Sequence, residues 1–165
     1  MRIWFVYFLL GISSGLPYLL TGSTLQAWMT ESHVNLKTIG LFALVRLPYN
    51  FKFLWAPFID RFSFPFLTRR RGWMIFFQAL LAIALVILGL SDPVSSPFKI
   101  ALFAVLVAFL SSSQDIVIDG YRTESLNGKL LGMATSSYIT GYRVGMLIAG
   151  AFAMYVVGKF NFSWS

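Results

Sequence analysis

The chain has 165 residues, of which 58% are hydrophobic and only 12% are charged, and its mean hydropathy is +0.74. Soluble domains carry roughly a quarter charged residues, so the composition excludes an ordinary soluble protein and predicts an all-α, polytopic membrane protein. The absence of cysteine excludes disulfides, thiol catalysis and cysteine-ligated metal.

Five apolar stretches each approach the length of about 20 residues that a membrane-spanning helix needs. They leave short loops and no room for a soluble domain. We predict transmembrane helices near residues 3–29, 39–58, 73–90, 98–118 and 130–157.

The first stretch follows Arg2, as a secretory signal peptide would. Its apolar run is too long for a signal peptide, and Gly15-Leu16-Pro17 indicates a kink inside a helix. We therefore predict a retained first helix, with a cleaved signal as the alternative.

The net charge of +7 would suggest nucleic acid in a soluble protein, but the positions of the basic residues indicate membrane topology and no nucleic-acid partner. Basic residues are expected to collect on the cytoplasmic side. An N-terminus in the cytoplasm and a C-terminus outside place more of them inside (Arg2, Arg61, Arg69, Arg70, Arg71, Arg122, Lys129) than outside (Lys37, Lys99, Lys159).

Three further basic residues, Arg46, Lys52 and Arg143, fall inside predicted spans. Hydrocarbon excludes charge, so these residues are expected to face a protein-lined or watered interior that favours an anionic cargo. In the second span, Arg46, Tyr49, Asn50 and Phe53 share one helical face and Lys52 lies off it.

The third span has Gln78 as its only strongly polar side chain and is expected to face lipid over most of its circumference. The fourth ends in a polar run containing Asp115 and Asp119. Asp115 either carries a proton or helps to latch the cytoplasmic mouth, and it has Arg143 as a possible partner; for Asp119 the depth favours the latch.

The loop between the second and third spans contains Asp60, Arg61 and the run Arg69-Arg70-Arg71. One interpretation is topology control alone. The other is a cytoplasmic clamp, in which Arg61 reaches an acid on another helix and Asp119 and Arg122 take part.

Other patterns indicate packing rather than chemistry. Gly141-x3-Gly145 permits close approach of a neighbouring helix. Gly11-Ile12-Ser13-Ser14-Gly15 superficially matches an intramembrane serine protease, but His33, the only histidine, lies in a short outer loop. Scattered carboxylates give no metal-ligand spacing.

Six segments together resemble the AmpG muropeptide permeases, a branch of the major facilitator superfamily. They are TLQAWMT (24–30), LKTIG (36–40), FKFLWAPFIDR (51–61), RRRGW (69–73), SQDIVID (113–119) and GYRVGML (141–147). The resemblance implies import of anionic muropeptides, such as N-acetylglucosaminyl-1,6-anhydro-N-acetylmuramyl peptides, across the bacterial inner membrane. It implies the proton gradient as energy source, no cofactor and no enzymatic activity.

On this basis Arg46, Lys52 and Arg143 are expected to hold cargo carboxylates, and Asp115 to carry the coupling proton. Contacts with sugar or peptide are expected from Gln26, Tyr49, Asn50 and Gln114, and more weakly from Trp28.

Facilitators have two six-helix halves, so five spans resemble part of the first half, and a second half is expected in the same or a separate chain. The alternatives are a non-transporting remnant, a split-gene subunit, or a facilitator for another anionic cargo such as acetyl-coenzyme A.

Overall fold

The structure is a computed structural model that describes residues 2–31, 40, 42–62, 69–91 and 97–159. Within these ranges every regular element is helical, which confirms the all-α fold. The α-helices are α1 (Arg2–Leu19), α2 (Leu25–Glu31), α3 (Leu47–Phe51), α4 (Ala56–Arg61), α5 (Arg69–Gly89), α6 (Pro97–Ser125) and α7 (Gly128–Lys159).

Three of the predicted spans coincide with helical segments that are long and apolar enough to cross a membrane. These are Ile3–Ala27, Arg70–Gly89 and Pro97–Ser125. The fifth predicted span lies within α7, a continuous helix of 32 residues, and its membrane crossing stays a prediction. Helix α6 continues seven residues past the predicted end at position 118, and its last turns carry charged residues.

The first span bends later than its sequence suggests. Pro17 lies within α1, and the irregular turn is the π-type segment Leu20–Thr24, where Gly22 leaves helical geometry at φ −95° and ψ −109°. The Thr21 hydroxyl donates to the Pro17 carbonyl at 2.8 Å, so the chain stays ordered up to the bend. Helix α2 then continues with Leu25 and Met29 buried.

The prediction of one continuous second helix is wrong. Its described part consists of a 3-10 turn (Phe42–Arg46), α3, a second 3-10 turn (Lys52–Leu54) and α4. Proline stands in the first turn of both α3 and α4, because a residue without an amide hydrogen starts a helix more easily than it continues one. Position 39 lies outside the described residues.

Helix α6 is the centre of the bundle, and every residue from Leu110 to Ile118 is buried. Helix α5 packs one face against it through Phe77, Leu81 and Ala84, while Ile75, Ile83 and Val86 stay exposed on other sides. An exposed aliphatic surface suits a helix at the lipid boundary, as expected for the third span.

Helices α1 and α7 pack closely because glycines face backbone at four positions. A Cβ added at Gly11 or Gly15 would strike the α7 backbone at Tyr138 or Tyr142. A Cβ added at Gly141 or Gly145 would strike the α1 backbone at Phe8 or Ile12. The predicted close approach at Gly141 and Gly145 is confirmed, and Gly11 and Gly15 provide the matching half of the contact.

Candidate functional site

A buried polar run on the central helix forms the middle of the site. Ser111, Ser112, Ser113, Gln114 and Asp115 are consecutive on α6 and all are buried. Polar and ionisable groups at membrane depth are costly unless a partner or a function retains them. Trp55 reaches this run from the second span, since its indole nitrogen donates to the Ser113 hydroxyl at 3.0 Å.

Asp115 is 7% exposed and accepts a hydrogen bond from the Tyr138 hydroxyl at 3.3 Å. The face of the Tyr138 ring lies 4.9 Å from the Arg122 guanidinium. Arg122 in turn contacts Asp119 at 2.7 Å, and Asp119 is 3.8 Å from the Lys52 ammonium. The five side chains form one connected set, which extends from the buried Asp115 to Arg122 in the last turn of α6.

Lys52 therefore does not remain unpaired. Lys52 lies off the face shared by Arg46 and Tyr49 because its side chain points to Asp119 on α6. The predicted partnership of Asp119 with Arg122 is observed, and the spacing of three residues on one helix makes it a local contact.

Arg70 joins three elements at the C-terminal end of α6. Its Nη1 contacts Asp60 on α4, and its Nη2 and Nε contact Glu124 on α6 at 2.6 and 3.2 Å. Gly120 makes the arrangement possible, because a side chain there would occupy the place of the guanidinium. We call Asp60, Arg70 and Glu124 the α6 latch.

The latch corrects the expected role of Arg61. Arg61 is exposed and forms no ion pair with a described residue, whereas Arg70 is buried between two acids. The difference arises because Arg70 lies in the first turn of α5, which packs against α6, whereas Arg61 ends α4 and its side chain is exposed. Arg71 donates instead to the Tyr121 hydroxyl at 3.4 Å, and the side chain of Arg69 lies outside the described residues. Glu124 was missed because its acid lies beyond the predicted end of the span.

Arg46 lies against the bend in the first span. Its guanidinium fills the space above Gly22 and stands 5.5 Å from the centre of the Tyr18 ring. Its Nε is buried and has no hydrogen-bond partner within the described part of the chain. An arginine held by an aromatic ring and a broken helix, with an unused donor, is suited to receive an anion.

Tyr49 lies close to Arg46 in space, as their predicted shared face requires. Its ring meets Tyr18 edge-on with centroids 5.0 Å apart, and its buried hydroxyl lacks a hydrogen-bond partner in the described ranges. Asn50 is exposed and Gln26 is half-buried, and their roles stay predictions. The side chain of Trp28, and the whole of His33, lie outside the described residues.

Gln114 is not placed to contact cargo as predicted. It is 2% exposed, and its Nε2 donates to the Gln78 carbonyl oxygen at 2.6 Å and to Ser13 at 3.3 Å. The Ser13 hydroxyl also donates to Gln78 at 2.7 Å. This amide cluster links α1, α5 and α6, and the lone glutamine of an apolar span was the signal that could have predicted it.

Arg143 is not brought together with Arg46 and Lys52. It is exposed, and it lies on the face of α7 opposite the stripe formed by Gly141 and Gly145, which packs on α1. Asp115 contacts Tyr138 on the α1-facing side, so the suggested pairing of Arg143 with Asp115 is wrong. Continuous helical rotation, rather than depth, separates the two groups.

The described residues contain no group of three or more histidines or acids arranged to hold a metal ion. The site is instead a column of charged and aromatic groups. The paired charges lie at the C-terminal end of α6, and the buried Asp115 comes next. Arg46, which has no acidic partner in the described ranges, lies farthest from that end.

Comparison with known families decides the relationship. Residues 2–100 match the family model described as Acetyl-coenzyme A transporter 1. This match covers more than half of the chain. The chain belongs to this transporter family.

Relatives with transport names support the predicted AmpG resemblance along nearly the whole chain. The anhydromuropeptide permease of Escherichia coli K12 is 45% identical over 93% of this chain and 31% of the relative. A Rickettsia conorii protein carrying the transporter name AmpG 4 is 36% identical over 97% of this chain and 39% of its own length. The chain thus spans about a third of the length of these relatives. Together with the apolar helices, they identify a bacterial multi-pass membrane protein related to transporters rather than enzymes.

Proposed function

We propose that this chain is part of a proton-coupled importer of anhydromuropeptides across the bacterial inner membrane, with its N-terminus in the cytoplasm. The observation that carries the proposal is Arg46, a cation in the predicted transmembrane region. Among the described residues its neighbours are an aromatic ring and a helix bend, and none forms an acidic ion pair with it. Such a group needs an anion, and the stem peptide of a muropeptide supplies free carboxylates. The permease name of the E. coli relative supports this cargo.

In the proposed cycle the cargo carboxylate binds Arg46 while Asp115 takes up a proton. When Asp115 is neutral, its contact with Tyr138 can change from acceptance to donation. Because the Tyr138 ring contacts Arg122, a shift of Tyr138 would move Arg122 and its ion pair with Asp119 at the C-terminal end of α6. Opening of the α6 latch, on the proposed cytoplasmic side, follows. Rocking against a second half, in the same or a separate chain, completes the pathway.

Asp115→Asn tests this cycle. The experiment uses a chimera in which this chain replaces the matching segment of the E. coli permease, reconstituted in vesicles with radiolabelled anhydromuropeptide. The introduced amide cannot take up or release a proton, so we expect loss of accumulation driven by a pH gradient and retention of exchange between internal and external cargo. Asp92→Asn is the matched control, because it removes the same charge outside the predicted spans and outside the proposed relay, and it should accumulate cargo like the wild type. Full gradient-driven accumulation by Asp115→Asn would disprove the proton role.

Another anionic cargo is the second candidate, favoured by the description of the matching family model. Competition separates the two: unlabelled anhydromuropeptide should displace the labelled cargo, and acetyl-coenzyme A should not. The reverse result would favour the second candidate. Arg46→Gln should weaken the binding of either cargo.

Expression of the 165-residue chain alone in a strain lacking its own permease tests the need for a second half. We expect no restored uptake, because a site between two halves is incomplete with one of them. Restored uptake would indicate an oligomeric or autonomous carrier.

A further inference from the structure

Three tyrosines from three separate parts of the chain meet beside Arg46. Tyr18 of α1 lies 5.0 Å from Tyr49 of α3 at an interplanar angle of 82°, and 6.0 Å from Tyr142 of α7 at 49°. Tyr18 and Tyr142 are half-buried, unlike Tyr138, which is buried and donates its hydroxyl hydrogen bond to Asp115. Their rings are therefore still partly available to a ligand.

The position of Arg46 indicates which side of the helix bundle the tyrosine cluster faces. The guanidinium of Arg46 stands over the Tyr18 ring, and a cation within the predicted span does not face acyl chains. Counting about 1.5 Å per residue, Tyr18 lies roughly 13 Å from the outer end of the span at Ala27. The cluster thus borders the interior of the protein, well inside the membrane.

Two donors next to the rings are unused. The Tyr49 hydroxyl and the Arg46 Nε are buried and lack hydrogen-bond partners among the described residues. Buried polar groups in folded proteins are nearly always bonded, so two unused groups at one aromatic cluster indicate a ligand with acceptor oxygens.

Partly open aromatic faces beside unused donors suit a molecule that has apolar ring faces and a rim of oxygens. A sugar ring has both, since its axial C–H groups can pack on an aromatic face while its hydroxyl and acetamido oxygens accept hydrogen bonds. A carboxylate on the same molecule would reach Arg46.

We propose that Tyr18 and Tyr142 form the surface on which the sugar rings of the cargo stack, while the Tyr49 hydroxyl and Arg46 receive its oxygens. This assignment rests on the proposed function. It makes the tyrosines the determinants of affinity for the sugar, independent of the attached peptide.

The test measures inhibition of labelled anhydromuropeptide uptake by the chimera, with the peptide-free disaccharide and the unlabelled muropeptide as competitors. We expect Tyr18→Leu and Tyr142→Leu each to raise the inhibitory concentration of both competitors about tenfold, because each removes one stacking contact. Tyr18→Phe should retain affinity, since stacking needs the ring. Tyr155→Leu, at an exposed ring farther along α7, is the matched control and should bind like the wild type.

Uptake is normalised to the amount of carrier in the membrane, and Tyr18→Met and Tyr142→Met replace any leucine variant that is not inserted. Wild-type uptake with unchanged inhibition by the peptide-free disaccharide in the ring-less variants would overturn the stacking surface alone. The stacking surface is also overturned if Tyr18→Phe is as damaging as Tyr18→Leu. Absence of uptake by the wild-type chimera would overturn the proposed function and, with it, this assignment.

Discussion

Replacement of Arg70 by glutamine should loosen the bundle at the C-terminal end of α6, whereas the same change at Arg61 should not. Arg70 contacts Asp60 and Glu124, and only 10% of its side chain is exposed. Arg61 is exposed and has no ion pair with a described residue. The comparison removes one positive charge in each case, so a difference reports the contacts rather than net charge.

The expected magnitude follows from the exposure of the two acids. Asp60 and Glu124 are 48% and 49% exposed, so solvent continues to stabilise them after Arg70 is removed. The cost of about 3–5 kcal/mol for leaving a buried charge unpaired therefore does not apply. Two partly exposed ion pairs amount to about 1–2 kcal/mol, and Arg61→Gln should stay within about 0.5 kcal/mol of the wild type.

Equilibrium unfolding of the chimera in mixed micelles, followed by tryptophan fluorescence, measures these differences. A double-mutant cycle with Glu124→Gln should give a coupling energy of about 1 kcal/mol that decreases at high salt. Equal destabilisation by Arg61→Gln and Arg70→Gln, or zero coupling between positions 70 and 124, would refute the latch.

Three further predictions concern packing. Gly141→Ala should destabilise the chimera by about 1–3 kcal/mol because its Cβ meets the Phe8 carbonyl, whereas Gly132→Ala, where a Cβ meets nothing, should be neutral or stabilising; equal effects would contradict the glycine contact. Gln78→Leu should lower the free energy of unfolding by about 1 kcal/mol, and the double variant Gln78→Leu/Gln114→Leu should lose less stability than the sum of the two single variants. Strict additivity would argue against the amide cluster. Trp55→Phe, which keeps a ring but loses the bond to Ser113, should destabilise the chimera by about 1 kcal/mol in the same assay. Trp4→Phe, at a half-buried tryptophan without a hydrogen bond to a described residue, is the control for ring size, and an equal loss of stability would argue against the Ser113 bond.

The sequence predicted those features that depend on local composition. Apolar length located the first, third and fourth spans, and glycine spacing located the contact between α1 and α7. The second span differed because Pro48 and Pro57 each restart a helix, and contacts such as Trp55 with Ser113 fix the segments between them. Its hydrophobicity carried no information about that interruption.

Partner choice among the charged residues could not be predicted in the same way. Arg61 and Arg70 are both basic residues of one loop region, and only the rotation of α4 and α5 around α6 decides which of them reaches Glu124. The depth of Arg143 stays a prediction, and the direction of its side chain depends on which face of α7 packs on α1. Helical depth can be counted from a sequence, whereas the rotation of one helix against another is set by packing.

In the proposed orientation, with the N-terminus in the cytoplasm, the order of charges along α6 favours import. About 14 Å of helix separates Glu124 from Asp115, and every charge described over that distance has an opposite charge or a tyrosine as partner. Beyond Asp115, toward the outer end, Arg46 has an aromatic partner but no acid among the described residues. An anion entering from the outer side would thus meet a cation that is ready to bind it, while the paired groups close the inner side. In the proposed cycle, passage inward requires those pairs to separate, and a proton on Asp115 starts the separation at the inner edge of the binding region.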